Sequence, residues 1–522
     1  MRDDFHVPTE TAPAPTTPER LDFIYHRLTS MPLEGIPASA KAFAKIEPSI
    51  SLGDVTAVQS FIEEALARLP KDEADDFRLR LAEASGDASP LVVELHQRVG
   101  SFLDDTFAIA CYRRIFAHGL GPAISSFARV ANAPLDSSRP AGIIVFVCRS
   151  CYNLLQREAR FLRKNGYRCY LVSMAPVVPN LRSAFYDCFD QIFDGFRSYL
   201  ALGLILDTLS PDIFHVQCNM WEYLMARVVI EHRRDAKVVC EFYDITSVYA
   251  DREILARQIW PEIVDLDLEM ECYIFQNADG MMHRYPNSII KKLGDHYGAC
   301  PPNIEIQQYP SREYIKYPTE RLSDGDGRIR LVYAGGLTAR LPNARREMYP
   351  EWGHIEAWET LLAQGFLIDV YCSPFRPPEG LGFEDFHALA ERQDGFRLML
   401  GVPQDKLSET LGSYDFGLSL AEFDQMASWL GDDHFYGSVA TKIYSYFEAG
   451  LPVLVNSEYG YMTEIIEGNG LGFGIHGTKI AEAGSAIHAF DRVLALERIK
   501  QFNDTHQIDH AIKRIMDLYR SI

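Results

Sequence analysis

At 522 residues the chain exceeds what one hydrophobic core usually serves, so two or three domains are expected. Its 51 Lys and Arg stand against 72 Asp and Glu, a formal charge of −21. That excludes nucleic-acid binding through a bulk positive field; an anionic ligand has to be held by a local cluster of cations and helix N-termini.

Ten scattered cysteines form no dense framework, the Met-Arg-Asp-Asp start has no apolar signal core, and no run of about 18 apolar residues occurs. A cytoplasmic chain without a signal peptide or membrane span is expected, with at most peripheral membrane contact. Residues 1–19, rich in Pro and Thr, read as a disordered tail. Residues 20–133 read as all-α: Val55, Val58, Ile62, Leu66 and Leu69 step by three and four, as do Val92, Leu95, Val99, Leu103 and Phe107. The acidic run Asp72 to Asp76 reads as a solvated loop between helices, or functionally as a contact for an acceptor or partner protein. Ala131 to Pro140 reads as a linker.

From Ala141 the texture changes to apolar strands alternating with helices, beginning with Gly142 to Val147. Such alternation predicts doubly wound parallel sheets with right-handed crossovers. A polar, Gly-rich break at Ser323 to Gly327 precedes a second run of the same kind. The predicted class is α/β, with two Rossmann-like domains, 140–315 and 328–490, facing each other after an extra N-terminal all-α region. A C-terminal helix at 498–522 is expected to pack back on the first domain.

Ligands of open α/β sheets sit beyond the carboxyl ends of the strands, so residues there are weighed first. Gly335 and Gly336 follow a strand and allow close backbone approach; with Arg340, Arg345 and Arg346 beyond them they suit a diphosphate, although each arginine alone reads equally as a surface charge. His215 and Gln217 lie in one strand of the first half, His215 reading as a core histidine or a functional one. Glu241 and Asp244 close the next strand, able to orient or deprotonate an acceptor hydroxyl; the bland alternative is a helix N-cap by Asp244. Cys148 and Cys151 form a C-x-x-C at a strand-to-helix turn with no second pair to complete a zinc site. Asp265-Leu-Asp267 and Asp324-Gly-Asp326 have D-x-D spacing, one in a helical pattern and one in the linker, so no metal is expected. The helix carrying Arg157, Arg160, Arg163 and Lys164 reads as a solvated face, or as one lying on anionic lipid.

The stretch Gly437 to Asn456 organises the second half. Ser438 is placed to cap a helix containing Thr441 and Lys442, Gly450 to stop it in the left-handed conformation, and Val453 to Val455 to form a buried strand. This stretch resembles the segment s-K-x-x-E-Y-x-A-x-G-x-P-V of retaining GT-B glycosyltransferases, family 4 above all. The Tyr333 to Leu337 loop and the Pro211 to Gln217 strand are similar to that family's as well. The resemblance implies a donor site for a nucleoside diphosphate sugar, needing no cofactor, built from Gly335, Gly336, Arg340, Ser438, Thr441 and Lys442. It places Glu448 on the nucleotide ribose as the second of two glutamates eight positions apart, with Ala440 in place of the first. His215, Glu241 and Asp244 are its acceptor-side catalytic candidates. The implied activity is sugar transfer, with retention, to a glycan or protein acceptor bound through the helical region, which is also open to a role in oligomer contacts. The same resemblance leaves open a catalytically inactive sugar-nucleotide-binding scaffold, and a sugar-nucleotide epimerase.

Overall fold

A computed structural model describes residues 69–83, 121–135, 141–151, 153–177, 182–196, 199–258, 261–337, 353–373 and 383–522, with Glu63, Leu66 and Ala67 as isolated positions. Two all-parallel sheets form the body. The first contains β1 (Gly142–Cys148), β2 (Tyr167–Ser173), β3 (Gln191–Asp194), β4 (Ile213–Cys218), β5 (Lys237–Phe242), β6 (Gly280–His283) and β7 (Asn303–Glu305), in the order 3-2-1-4-5-6-7. The second contains β8 (Arg330–Gly335), β9 (Leu367–Cys372), β10 (Phe396–Met399), β11 (Phe416–Ser419), β12 (Val453–Asn456) and β13 (Gly472–Ile475), in the order 10-9-8-11-12-13. In both sheets the chain starts centrally, winds to one edge, returns and winds to the other. That reversal makes a crevice at the carboxyl ends of the central strands. β1, β2 and β12 are buried at every residue, which is why they read as continuous apolar runs rather than alternating ones.

The helices that matter below are α1 (Lys71–Glu83), α2 (Gly121–Ala131), α3 (Asn153–Lys164), α4 (His354–Ala363), α5 (Asp432–Gly437), α6 (Lys442–Glu448), α7 (Arg492–Thr505) and α8 (Ile508–Ser521). The acidic run Asp72 to Asp76 is not a loop: it lies inside α1. Ala74 and Phe77, three apart, are buried on one face, and acidic groups in a first turn are favoured by the helix dipole. The second apolar series, Val92 to Phe107, lies outside the described residues.

The chain passes between the two sheets twice, at residues 306–322 and again after α7. α7 packs on α6 in the second half, whereas α8 packs on α3 and β7 in the first, burying Ile508, Ile512, Ile515 and Tyr519. The cations of α3 therefore do not form one free basic face: Arg157 and Arg163 are turned into the protein, while Arg160 and Lys164 stay partly exposed but paired. Arg157 is buried, Arg160 lies 2.8 Å from Glu313, Arg163 lies 3.2 Å from Asp190, and Lys164 pairs with Glu313.

α6 is fixed beneath the second sheet by one side chain. The Tyr446 hydroxyl accepts from Ala334 N–H and donates to Leu418 C=O, both at 2.9 Å, spanning β8 and β11. Its ring fills the space over Gly417, where an added Cβ would sit 2.3 Å from Tyr446 Cγ. Gly417→Ala must displace a buried ring, and overpacking of this kind costs about 1–3 kcal/mol. A lowered midpoint in thermal unfolding, accompanied by weaker ligand binding at Lys442 on the same helix, is the expected outcome; an unchanged midpoint would show that the ring is free to move.

Candidate functional site

A cleft of about 160 Å³ lies where the carboxyl ends of the two sheets meet. The first half contributes Tyr243 and Asp244 after β5, and Arg284 and Tyr285 after β6. The second contributes His354 at the start of α4, Ser419 at the end of β11, Asn456 at the end of β12, and Gly437 to Ala440 with Lys442 at the start of α6. Asn456 ties the floor together, accepting from Ala421 N–H and donating to Ala421 C=O, both at 2.8 Å.

Lys442 is held by Tyr333. Its ammonium donates to the Tyr333 hydroxyl at 3.0 Å and lies 4.3 Å from the ring centroid, and that hydroxyl donates to Gly336 C=O at 2.6 Å. A side chain at Gly335 would press on Lys442 Cε at 3.3 Å, while among the described residues nothing lies within 4 Å of a Cβ at Gly336. The structure thus brings together Gly335, Gly336 and Lys442, which are far apart in sequence. Arg340, Arg345 and Arg346 lie outside the described residues. Ser438 lines the cleft but caps nothing: it follows α5, and α6 starts at Lys442 with Thr441 as its N-cap residue and no side-chain cap bond. Gly450 does stop this segment, at φ +72°, one residue beyond the helix's C-cap Ala449.

Of the three acceptor-side candidates, only Asp244 lines the cleft. His215 sits in the middle of β4, wholly buried between the sheet and the α3/α8 layer. Its Nδ1 lies 2.6 Å from the Tyr519 hydroxyl, and its Nε2 lies 3.3 Å from Glu241 and 3.7 Å from Glu158. Glu241 shares that layer because Gln217 pairs with it across β4 and β5, and side chains in register point to the same face. Both are corrections to the sequence reading: β4 continues three residues past His215, and Glu241, though next to last in β5, is turned by the pleat into the α3/α8 layer instead of the cleft. Burial and the Glu241 charge push the Glu158 carboxyl well above its ordinary range. Ligand atoms of Glu158, His215 and Glu241 lie within 4.8 Å of one another, a spacing a cation would need, but positive charge is already supplied by Arg284, 3.4 Å from Glu241.

Glu448 is the third correction. It is wholly buried, and both carboxylate oxygens are engaged. Arg157 makes a two-pronged pair with them at 2.8 and 2.9 Å, and Ser311 N–H donates to one at 2.8 Å. It is a clasp between the halves: three of its roughly four acceptor sites are taken, and the whole side chain is buried away from the cleft, so it is not presented to a ribose. The reason is angular: six residues at about 100° each turn Glu448 about 120° around α6 from Lys442. Counted from Lys442, the glutamate of the quoted segment falls at Ser445, not at Glu448.

Two residues of the cleft were missed. Arg284 is 4% exposed, stacks its guanidinium 4.2 Å from the Tyr243 ring and donates to Glu241. His354 is 4% exposed and lies flat on Trp358, with 2° between the rings. The signal for Arg284 was its position two residues after the apolar run Gly280 to Met282, just past the strand end at His283. For His354 the sequence carried none, since the residues preceding α4 have no recognisable strand pattern.

The arrangement of two facing parallel sheets is shared with solved structures. HepE of Anabaena in complex with UDP-glucose matches 73% of this chain and all of its own at 11% identity, with a TM-score of 0.54. The same protein with UDP and glucose matches 73% and 99% at 10% identity, with a TM-score of 0.52. At these identities the likeness establishes the fold, and that fold is the GT-B fold of glycosyltransferases. No family model matches the chain, and no curated protein matches it in sequence. Among the described residues, no helix is long and apolar enough to cross a membrane.

Proposed function

We propose that the chain is a glycosyltransferase that moves a sugar from a nucleoside diphosphate sugar to a hydroxyl of a glycan or protein acceptor. The observation that carries this is the cleft itself: strand ends of both sheets meet there, with Lys442 on one side, tied through Tyr333 to the Gly335–Gly336 loop, and Asp244 on the other. Lys442, with Arg340 as its expected companion, holds the diphosphate and balances the charge that grows as it leaves. Asp244 orients or deprotonates the acceptor hydroxyl. Retention is implied by the family resemblance, and the N-terminal helical region is the proposed place for acceptor or oligomer contacts. The UDP-glucose of the HepE complex makes that compound the first donor to try.

A volume of about 160 Å³ falls below the roughly 300–1,000 Å³ of small-molecule sites. We read this as a closed arrangement. α5 bridges the halves through Tyr285 and His434 at 3.2 Å and Lys292 and Asp433 at 2.6 Å, with Gly431 N–H just before it donating to Tyr249 C=O at 2.9 Å. Donor entry then requires those contacts to part.

The inactive-scaffold reading is favoured by one observation: counted from Lys442, the two glutamates of the resemblance fall at Gly437 and Ser445, and Gly437 lines the cleft without a carboxylate. A panel of nucleotide sugars, followed by thermal shift and by release of nucleoside diphosphate, separates the readings. Release that depends on an acceptor is the expected result. Stabilisation without release supports the scaffold, interconversion of the sugar without acceptor supports an epimerase, and absence of any binding would overturn all three.

A further inference from the structure

His354 holds one hydrogen-bonding atom in reserve. Its Nδ1 lies 2.7 Å from Leu420 C=O, an atom that only accepts, so the proton of the neutral ring is on Nδ1 and Nε2 carries a lone pair. Nε2 is buried and has no hydrogen-bond partner among the described residues. A buried acceptor left unmatched is unfavourable, so such an atom points to a donor absent from the protein itself. The ring is not free to turn away: it is stacked on Trp358 at 5.3 Å, with Tyr333 5.0 Å off, centroid to centroid. Tyr333 is also the ring against which Lys442 rests, so His354 and Lys442, both lining the cleft, flank the same buried aromatic side chain. Burial and the nearby Lys442 charge push the His354 ring down to about 3, so the lone pair persists throughout the neutral range.

We infer that His354 Nε2 accepts a hydrogen bond from a hydroxyl of the transferred sugar, making this position a selector for neutral hydroxylated sugars. The inference rests on the glycosyltransferase reading and deepens it. A phosphate oxygen or a sugar carboxylate would turn its own lone pairs toward Nε2 and be repelled, whereas a hydroxyl donates to it. An ammonium of a charged amino sugar would also donate, but it would lie beside the like charge of Lys442. The group that reaches His354 is therefore a neutral hydroxyl next to the diphosphate that Lys442 holds.

The test uses the full-length protein and UDP, ADP, GDP and dTDP with their glucose conjugates, each titrated calorimetrically. For the nucleotide that binds, the wild type is expected to prefer the glucose conjugate over the bare diphosphate, and over the glucuronate conjugate. His354→Leu is expected to reduce the preference for the glucose conjugate about tenfold, the worth of one hydrogen bond, while affinity for the bare diphosphate stays within about twofold and reports an intact fold. His354→Gln, which keeps an acceptor, is expected to recover part of it. Diphosphate binding with a preference that His354→Leu leaves unchanged, or that favours glucuronate, overturns the inference alone. If the wild type binds neither diphosphates nor conjugates, the glycosyltransferase reading falls and the inference falls with it.

Discussion

Glu448→Ala is expected to destabilise the protein by about 3–5 kcal/mol, measured by denaturant unfolding, because it strands the guanidinium of Arg157 in a buried site. Arg157 is 2% exposed, and its remaining polar partner is Tyr309 C=O at 2.8 Å. Arg157→Ala has the converse effect: it leaves the wholly buried Glu448 with one backbone donor, Ser311 N–H. Each single change is therefore more harmful than removal of both charges together. A double replacement, Arg157→Met with Glu448→Leu, is expected to regain most of the loss, since apolar groups of similar volume commonly substitute for a buried pair at little cost. The clasp joins α3 of the first half to α6 of the second, next to the 306–322 crossover, where Lys316 N–H also donates to Glu448 C=O at 3.0 Å. A second readout follows: the single variants should increase the radius of gyration by loosening the halves. A stability within 1 kcal/mol of wild type for Glu448→Ala would assign the carboxylate to the ligand instead of the frame.

Lys442→Met is expected to lower kcat/KM by about 10²–10³, which corresponds to roughly 2.7–4 kcal/mol of transition-state stabilisation. The reasoning is differential. Charge accumulates on the diphosphate as the bond to the sugar breaks, so an ammonium already fixed at that point favours the transition state over the bound donor. Lys442 is fixed by the Tyr333 hydroxyl, itself anchored to Gly336, and it needs little reorganisation. Methionine keeps the length and apolar stem of the side chain, so the fold is retained and the loss is attributable to charge. Tyr333→Phe removes the anchor and keeps the ammonium; a smaller loss, mainly in kcat, is the expected contrast. Equal losses from the two variants would make Tyr333 as important as the charge itself.

The fold was legible in the sequence because its strands are buried on both faces: Gly142 to Val147 and Val453 to Val455 announce themselves as short apolar runs between turn residues. The stop at Gly450 was equally readable from residue type. Where the helices start was less so, because Ser438 has the right chemistry for a cap yet follows the short helix α5, and Thr441 takes the cap position. The acidic run in α1 was misread because charge suggested solvent, whereas the helical spacing of Ala74 and Phe77 decides the matter. The cleft was legible in part. Of the residues weighed at strand and helix ends, Lys442 and Asp244 line the cleft, and Gly336 is joined to Lys442 through Tyr333. His215, Glu241 and Glu448 have the right chemistry, but strand length and helix phase carry them inward, and neither is fixed by a single local motif. Arg284 and His354 are defined by tertiary neighbours, Tyr243 and Glu241 for one and Trp358 and Leu420 for the other, which no local pattern encodes.

The central claim is that this cleft binds a nucleotide sugar through Lys442 and transfers the sugar. The most direct measurement is release of nucleoside diphosphate from UDP-glucose and related donors, with and without a glycan acceptor mixture, by wild type and Lys442→Met side by side. The account predicts acceptor-dependent release by the wild type, reduced at least a hundredfold in the variant. Equal release by the two proteins, or donor binding undiminished in the variant with no transfer by either, would contradict it.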